Sequence, residues 1–192
     1  MTKLYRFGRW VCRVFFKTFY RIEASGQSNV PDDGAVILCS NHISTLDPPL
    51  VGTPLQRKVY FMAKAELFKV PLFGPLIANL GAFPVKRGGV SKESIRHALQ
   101  LLGEGGVLGI FPEGTRGGGM GKKGAASLAV RSGATVIPVA IIGKYKLFGK
   151  LKVVYGKPVD LSAMREASNS ESLEQATEHI MESIRKLIEA NS

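Results

Sequence analysis

Short, largely apolar runs, several of them continuous, punctuate this chain, separated by polar or glycine-rich stretches. Residues 35–40, 59–63, 82–85, 107–111, 135–142 and 151–155 are such runs. Runs of this length with little alternation predict strands covered on both faces, as in a mainly parallel sheet. Between them, apolar residues recur at helical spacing over 48–55, 91–102, 125–131 and 172–190. In the last segment Leu173, Ile180, Ile184 and Leu187 form the stripe, and Ser172 with Gln175 has capping-box spacing that predicts the helix start. Strands alternating with helices predict an α/β fold: a single domain with a central mixed, largely parallel sheet flanked by helices.

The first segment follows a different pattern. Lys3, Arg6, Arg9, Arg13, Lys17 and Arg21 recur every three or four residues, so on a helix they share one narrow stripe. Around them stand Leu4, Phe7, Trp10, Val14, Phe15 and Phe19. Charges interrupt the apolar residues too often for an ordinary membrane span. A wide aromatic face edged by bases predicts a helix over 1–24 lying in a membrane interface, with 25–192 as the folded domain. The alternative is a helix packed on the protein's own core with its basic stripe in water. The linker over 65–80 is also apolar (Leu67, Phe68, Leu72, Phe73, Leu76) and reads as core, or as a wall for a greasy ligand.

Composition narrows the classes. The chain has 192 residues, 45% of them hydrophobic and 21% charged, enough for one domain with a substantial core. Cys12 and Cys39 have neither metal nor disulfide spacing, which fits a reducing compartment. Residues 1–21 carry too many charges for a signal peptide. The net charge is +11, with a uniformly basic start and an acidic tail over 160–192. Such a charge attracts nucleic acid, anionic lipid or an acidic protein. The aromatics gather in the first helix and the apolar linker, which fits lipid and no nucleic acid.

Chemistry is concentrated where apolar runs end. Asn41-His42-Ile43-Ser44-Thr45-Leu46-Asp47 follows the first run, so an imidazole and a carboxylate leave a strand end together. A carboxylate-backed imidazole can take a proton from a hydroxyl at neutral pH. No serine or cysteine nucleophile motif accompanies the pair, so the attacking hydroxyl belongs to a substrate. A loop-capping hydrogen bond is the plainer alternative. Phe111-Pro112-Glu113-Gly114-Thr115-Arg116 follows a second run and offers an acceptor and a bidentate donor, or else a turn closed by a Glu–Arg pair. Gly81-Ala82-Phe83-Pro84-Val85-Lys86-Arg87 ends a third run with two bases able to receive a phosphate, or simply solvated. The glycine pattern over 119–124 does not follow a strand directly and carries no weight.

Together these segments resemble the glycerolipid acyltransferase family. The resemblance rests on Asn-His-x-x-x-x-Asp at Asn41 to Asp47, Gly-x-x-x-hydrophobic-x-Arg at Gly81 to Arg87, Phe-Pro-Glu-Gly-Thr-Arg at Phe111 to Arg116, and Ile137-Pro138-Val139, in that order. Pro84 and Gly117 depart from the common pattern without removing a charge. The resemblance implies acyl transfer from an acyl thioester, of coenzyme A or acyl carrier protein, to the sn-2 hydroxyl of lysophosphatidate, giving phosphatidate. It implies that His42 is the base and Asp47 its orienting partner. Lys86, Arg87 and Arg116 would hold phosphate, Glu113 would position the glycerol, and Gly114 and Thr115 would complete the substrate-binding block. Backbone N–H groups near the first block would stabilise the oxyanion. No metal or organic cofactor is implied. The expected location is peripheral, or monotopic, on the cytoplasmic face of the cell membrane, against an anionic surface. Alternatives are acylation of glycerol-3-phosphate or another lysolipid, thioester hydrolysis, and a non-catalytic basic protein binding lipid or nucleic acid.

Overall fold

The computed structural model describes residues 2–85, 92–112, 122–167 and 169–192. Seven strands form one sheet: β1 (Arg21–Ser25), β2 (Val36–Ser40), β3 (Val59–Lys64), β4 (Ala82–Val85), β5 (Val107–Ile110), β6 (Thr135–Gly143) and β7 (Lys150–Tyr155). Their order is β1-β7-β6-β2-β5-β3-β4. All neighbours are parallel except β6 and β7, so the mixed, largely parallel sheet expected from the apolar runs is what forms. The helices are α1 (Lys3–Phe19), α2 (Asp47–Gly52), α3 (Phe73–Asn79), α4 (Lys92–Gly103), α5 (Lys122–Ser132), α6 (Ser162–Ala167) and α7 (Ser170–Glu189).

Side-chain alternation on the central strand splits the core in two. Ile37 and Cys39 face one side with Leu108, Ile110 and Val136, covered by Leu102 of α4, Leu128 of α5 and Ile184 of α7. Val36 and Leu38 face the other, beneath Phe16 of α1 and Leu50 and Val51 of α2. β2 is buried at every position, which is why its sequence reads as an unbroken apolar run.

Several expectations need correction. The basic spacing runs on to Arg21, but the helix stops at Phe19 and Tyr20 is extended. Arg21 and Ile22 belong to β1, an edge strand with alternating exposure that offers no continuous apolar run. The last helix starts earlier than Ser172. Asn169 is its cap: its side chain accepts the Ser172 N–H at 2.7 Å, while the Ser172 hydroxyl accepts the Asn169 N–H at 2.9 Å. The apolar linker is not core. It forms a 3-10 turn, Ala65–Lys69, and α3, and leaves Leu67, Val70, Leu72, Phe73 and Leu76 exposed.

The face by which α1 docks is also unexpected. Tyr5 and Phe16 are buried against the body, and Arg9 and Arg13 turn the same way. Arg9 donates to the Leu55 carbonyl at 2.6 Å, and Arg13 donates to that of Thr53 at 2.8 Å. These carbonyls lie just past the end of α2, where cations are favoured. Two of the six bases are therefore engaged by the protein itself rather than set in a free stripe. The aromatic face points away: Phe7, Trp10, Phe15 and Phe19 are exposed.

Candidate active site

The parallel strands β2, β5 and β6 are neighbours, so their C-terminal ends lie along one edge of the sheet. Ligands of open α/β sheets bind at such an edge. His42 follows β2, Phe111 follows β5 and Tyr145 follows β6. The structure brings all three together.

Asp47 opens α2, with Pro48 and Pro49 in the first helical positions, where missing N–H groups cost nothing. Its carboxylate is fully buried and reaches back over the preceding loop. Oδ2 accepts from His42 Nδ1 at 2.7 Å, from the Ile43 N–H at 2.6 Å and from the Ser44 N–H at 2.7 Å. Oδ1 accepts from the Tyr145 hydroxyl at 2.6 Å. With the carboxylate as acceptor, the His42 proton sits on Nδ1 and the lone pair on Nε2. The His42 side chain is 18% exposed, enough for a substrate to reach it. The geometry is that of a general base held in one tautomer.

The imidazole is held from the side as well. Phe111 stacks on it with ring centroids 4.2 Å apart and planes 22° from parallel. Phe61 of β3 stacks in turn on Phe111 at 6.0 Å. Phe61 lies over Gly109, where a Cβ would stand 2.6 Å from Cδ1 and 2.7 Å from Cζ of the ring. Glycine at 109 therefore makes room for the stack.

Asn41 anchors the loop. The β2–β6 ladder ends with Ser40 opposite Val139. Beyond it the Asn41 side chain imitates one more rung. Its Nδ2 donates to the Ile141 carbonyl at 2.9 Å, and its Oδ1 accepts the Ile141 N–H at 2.7 Å. The Ile137-Pro138-Val139 block lies on β6 directly beside β2, so it backs the strand that delivers His42.

The expectation of an oxyanion site in the first block meets an obstacle. The N–H groups of Ile43 and Ser44 are taken by Asp47, that of Leu46 by the Ser44 hydroxyl, and that of Asp47 by the Ser44 carbonyl. Lys86, Arg87, Glu113, Gly114, Thr115 and Arg116 lie outside the described residues. β4 ends at Val85, immediately before the first of them. Among the described residues, no group of three or more His, Cys, Asp or Glu side chains is placed to hold a metal ion.

Reading the sequence identified His42 and Asp47 but not Tyr145, Phe61 or Gly109. Tyr145 carried one usable signal, a polar residue just past a strand end. Burial, and then its bond to Asp47, push the Tyr145 hydroxyl well above the ordinary tyrosine range, so it acts as a neutral donor.

The chain is similar to several known proteins. A 1-acyl-sn-glycerol-3-phosphate acyltransferase of Bacillus subtilis (strain 168) is 29% identical over 192 residues, covering 96% of each chain. The chloroplastic 1-acyl-sn-glycerol-3-phosphate acyltransferase LPAT1 of Arabidopsis thaliana is 30% identical over 73% of this chain but only 44% of its own length. The crystal structure of PlsC, the 1-acyl-sn-glycerophosphate acyltransferase of Thermotoga maritima, superposes with a TM-score of 0.72 at 27% identity, covering 99% of this chain and 79% of that one. Residues 21–142 match the family described as Acyltransferase, a span that holds β1 through most of β6 and the paired His42 and Asp47, and the chain belongs to that family.

Proposed function

We propose that this chain transfers an acyl group from an acyl thioester to the sn-2 hydroxyl of 1-acyl-sn-glycerol-3-phosphate, forming phosphatidate. The observation that carries the reading is the 2.7 Å bond from His42 Nδ1 to a fully buried carboxylate, on a chain with near full-length relatives of that activity. In the reaction, Nε2 takes the proton of the acceptor hydroxyl as its oxygen attacks the thioester carbonyl. The tetrahedral intermediate collapses, the C–S bond breaks, and the imidazolium returns its proton to the departing thiolate. Asp47 holds the tautomer and stabilises the transient imidazolium. No acyl-enzyme forms. Lys86, Arg87 and Arg116 hold the acceptor phosphate, Glu113 positions the glycerol, and Gly114 and Thr115 let the backbone close on it. Those assignments rest on the family's motifs. The donor is the thioester of coenzyme A or of acyl carrier protein.

The proposed workplace is the cytoplasmic face of a cell membrane. No described helix is long and apolar enough to cross a bilayer. Instead, the exposed face of α1 offers aromatic rings to lipid, with Lys3, Arg6, Lys17 and Arg21 free to meet anionic headgroups at about 1 kcal/mol each. In this reading the chain divides into a membrane-associating N-terminal helix and an acyltransferase domain.

The test is purified protein in mixed micelles with lysophosphatidate and each donor type, followed by product identification and by His42→Ala. Phosphatidate is expected, and the variant should lose roughly 10²–10⁴-fold in turnover while still sedimenting with anionic vesicles. Near-parental turnover by the variant would refute the mechanism. Product formed only from glycerol-3-phosphate or another lysolipid would reassign the acceptor.

A further inference from the structure

Three donors converge on Oδ2 of Asp47, whereas among the described residues Oδ1 receives only the Tyr145 hydroxyl, at 2.6 Å. The two backbone N–H groups pin Oδ2 in place. The carboxylate turns only about its Cβ–Cγ bond, and the hydrogen bond to Oδ1 restrains that same rotation from the second oxygen. We propose that Tyr145 is a positioning residue for acyl transfer: its hydroxyl fixes the plane of the Asp47 carboxylate, and through it the direction in which His42 presents Nε2. The proposal rests on the acyl-transfer reading above.

Two further observations support it. Asp47 is fully buried, so an unpartnered Oδ1 would be an anionic oxygen with no water to replace the lost donor. In addition, Tyr145 is itself held. Its ring meets Tyr20 edge-on at 5.7 Å, next to the end of α1. The turn that carries it is tied to the same place: the Phe148 N–H donates to the Phe19 carbonyl at 2.7 Å, and the Arg21 N–H donates to that of Gly149 at 2.9 Å. A hydroxyl serving only as a surface tyrosine's polar tip would not need such bracing. Tyr145 reaches no reacting atom. It acts through Asp47, as the partners of a ligand-holding side chain commonly do.

Tyr145→Phe removes the hydroxyl and keeps the ring against Tyr20. The expected result is kcat lower by about tenfold, KM for lysophosphatidate within about twofold, and an unchanged circular dichroism spectrum. In an Asp47→Asn background the same change should add nothing further, because the bond's beneficiary is already gone. A reading free of substrate is the His42 Nδ1–H resonance of protein labelled with ¹⁵N-histidine, which should move in Tyr145→Phe. An unmoved resonance would overturn the proposal. So would parental kcat, or a loss that multiplies fully with Asp47→Asn. Absence of turnover by the parent would instead overturn the acyl-transfer reading, and the resonance would still decide the role of Tyr145.

Discussion

Gly109→Ala tests whether the aromatic stack positions the base. The added Cβ would stand 2.6 Å from Phe61 Cδ1 and 2.7 Å from Cζ. Cε1 would be nearer still, and ordinary carbon contact begins near ~3.5 Å, so the ring must withdraw by more than about 1 Å. Phe61 stacks on Phe111 with centroids 6.0 Å apart, and Phe111 leans on His42 at 4.2 Å, so a shift of the Phe61 ring can be passed on to the imidazole. A displacement of about 1 Å at a catalytic group costs on the order of 10²-fold in rate. Overpacking of this kind costs about 1–3 kcal/mol of stability. The expected phenotype is therefore lopsided: turnover, followed by thiol release from the acyl donor, falls about a hundredfold, while the protein stays folded with a melting point lower by several degrees. Adding Phe61→Leu to Gly109→Ala should recover most of the rate by vacating the space. Parental turnover in the single variant would show that the ring escapes without disturbing His42, and the coupling argued from the stack would be wrong.

Two further perturbations probe the frame around the site. Asn41→Ala strips partners from the N–H and carbonyl of Ile141, at about 1–3 kcal/mol for each group left unpaired; a urea midpoint equal to the parent's would show that the side-chain rung contributes nothing. Burial pushes the Cys39 thiol from its ordinary 9.0 up to about 12. The native state therefore keeps that proton where the unfolded chain loses it, so the contribution is intact below pH 9.0 and is lost as pH rises toward 12. Thermal melts across that window should fall less steeply for Cys39→Ala than for the parent, and identical slopes would reject the assignment.

Most of the sheet was legible in the sequence because its central strands are covered on both faces, and burial on both faces leaves an unbroken apolar run. β1 was hidden for the opposite reason. It is an edge strand, and Arg21 continues the three- and four-residue spacing of the helix before it. The linker over 65–80 misled because apolar residues there are exposed, and composition does not say which side of a surface a side chain occupies. His42 and Asp47 were visible because five positions of chain bring them together around the start of one helix. Tyr145 lies 98 positions from Asp47, and Asn41 lies 100 from Ile141. Their partnerships depend on β2 and β6 lying side by side, which local spacing does not encode. Gly109 was likewise silent, since its role appears only once Phe61 from the neighbouring strand lies across it.

The grip of Arg9 and Arg13 on carbonyl oxygens has a consequence for how the enzyme would meet its substrates. A helix attached only by greasy contacts could roll about its long axis when it touched lipid. Here two guanidinium clamps fix which rings face outward, so on the proposed membrane surface the protein would take a single attitude. A lysolipid sliding sideways in that leaflet would always approach the imidazole from the same quarter. On that proposal the search for a productive encounter would be reduced from three dimensions to two.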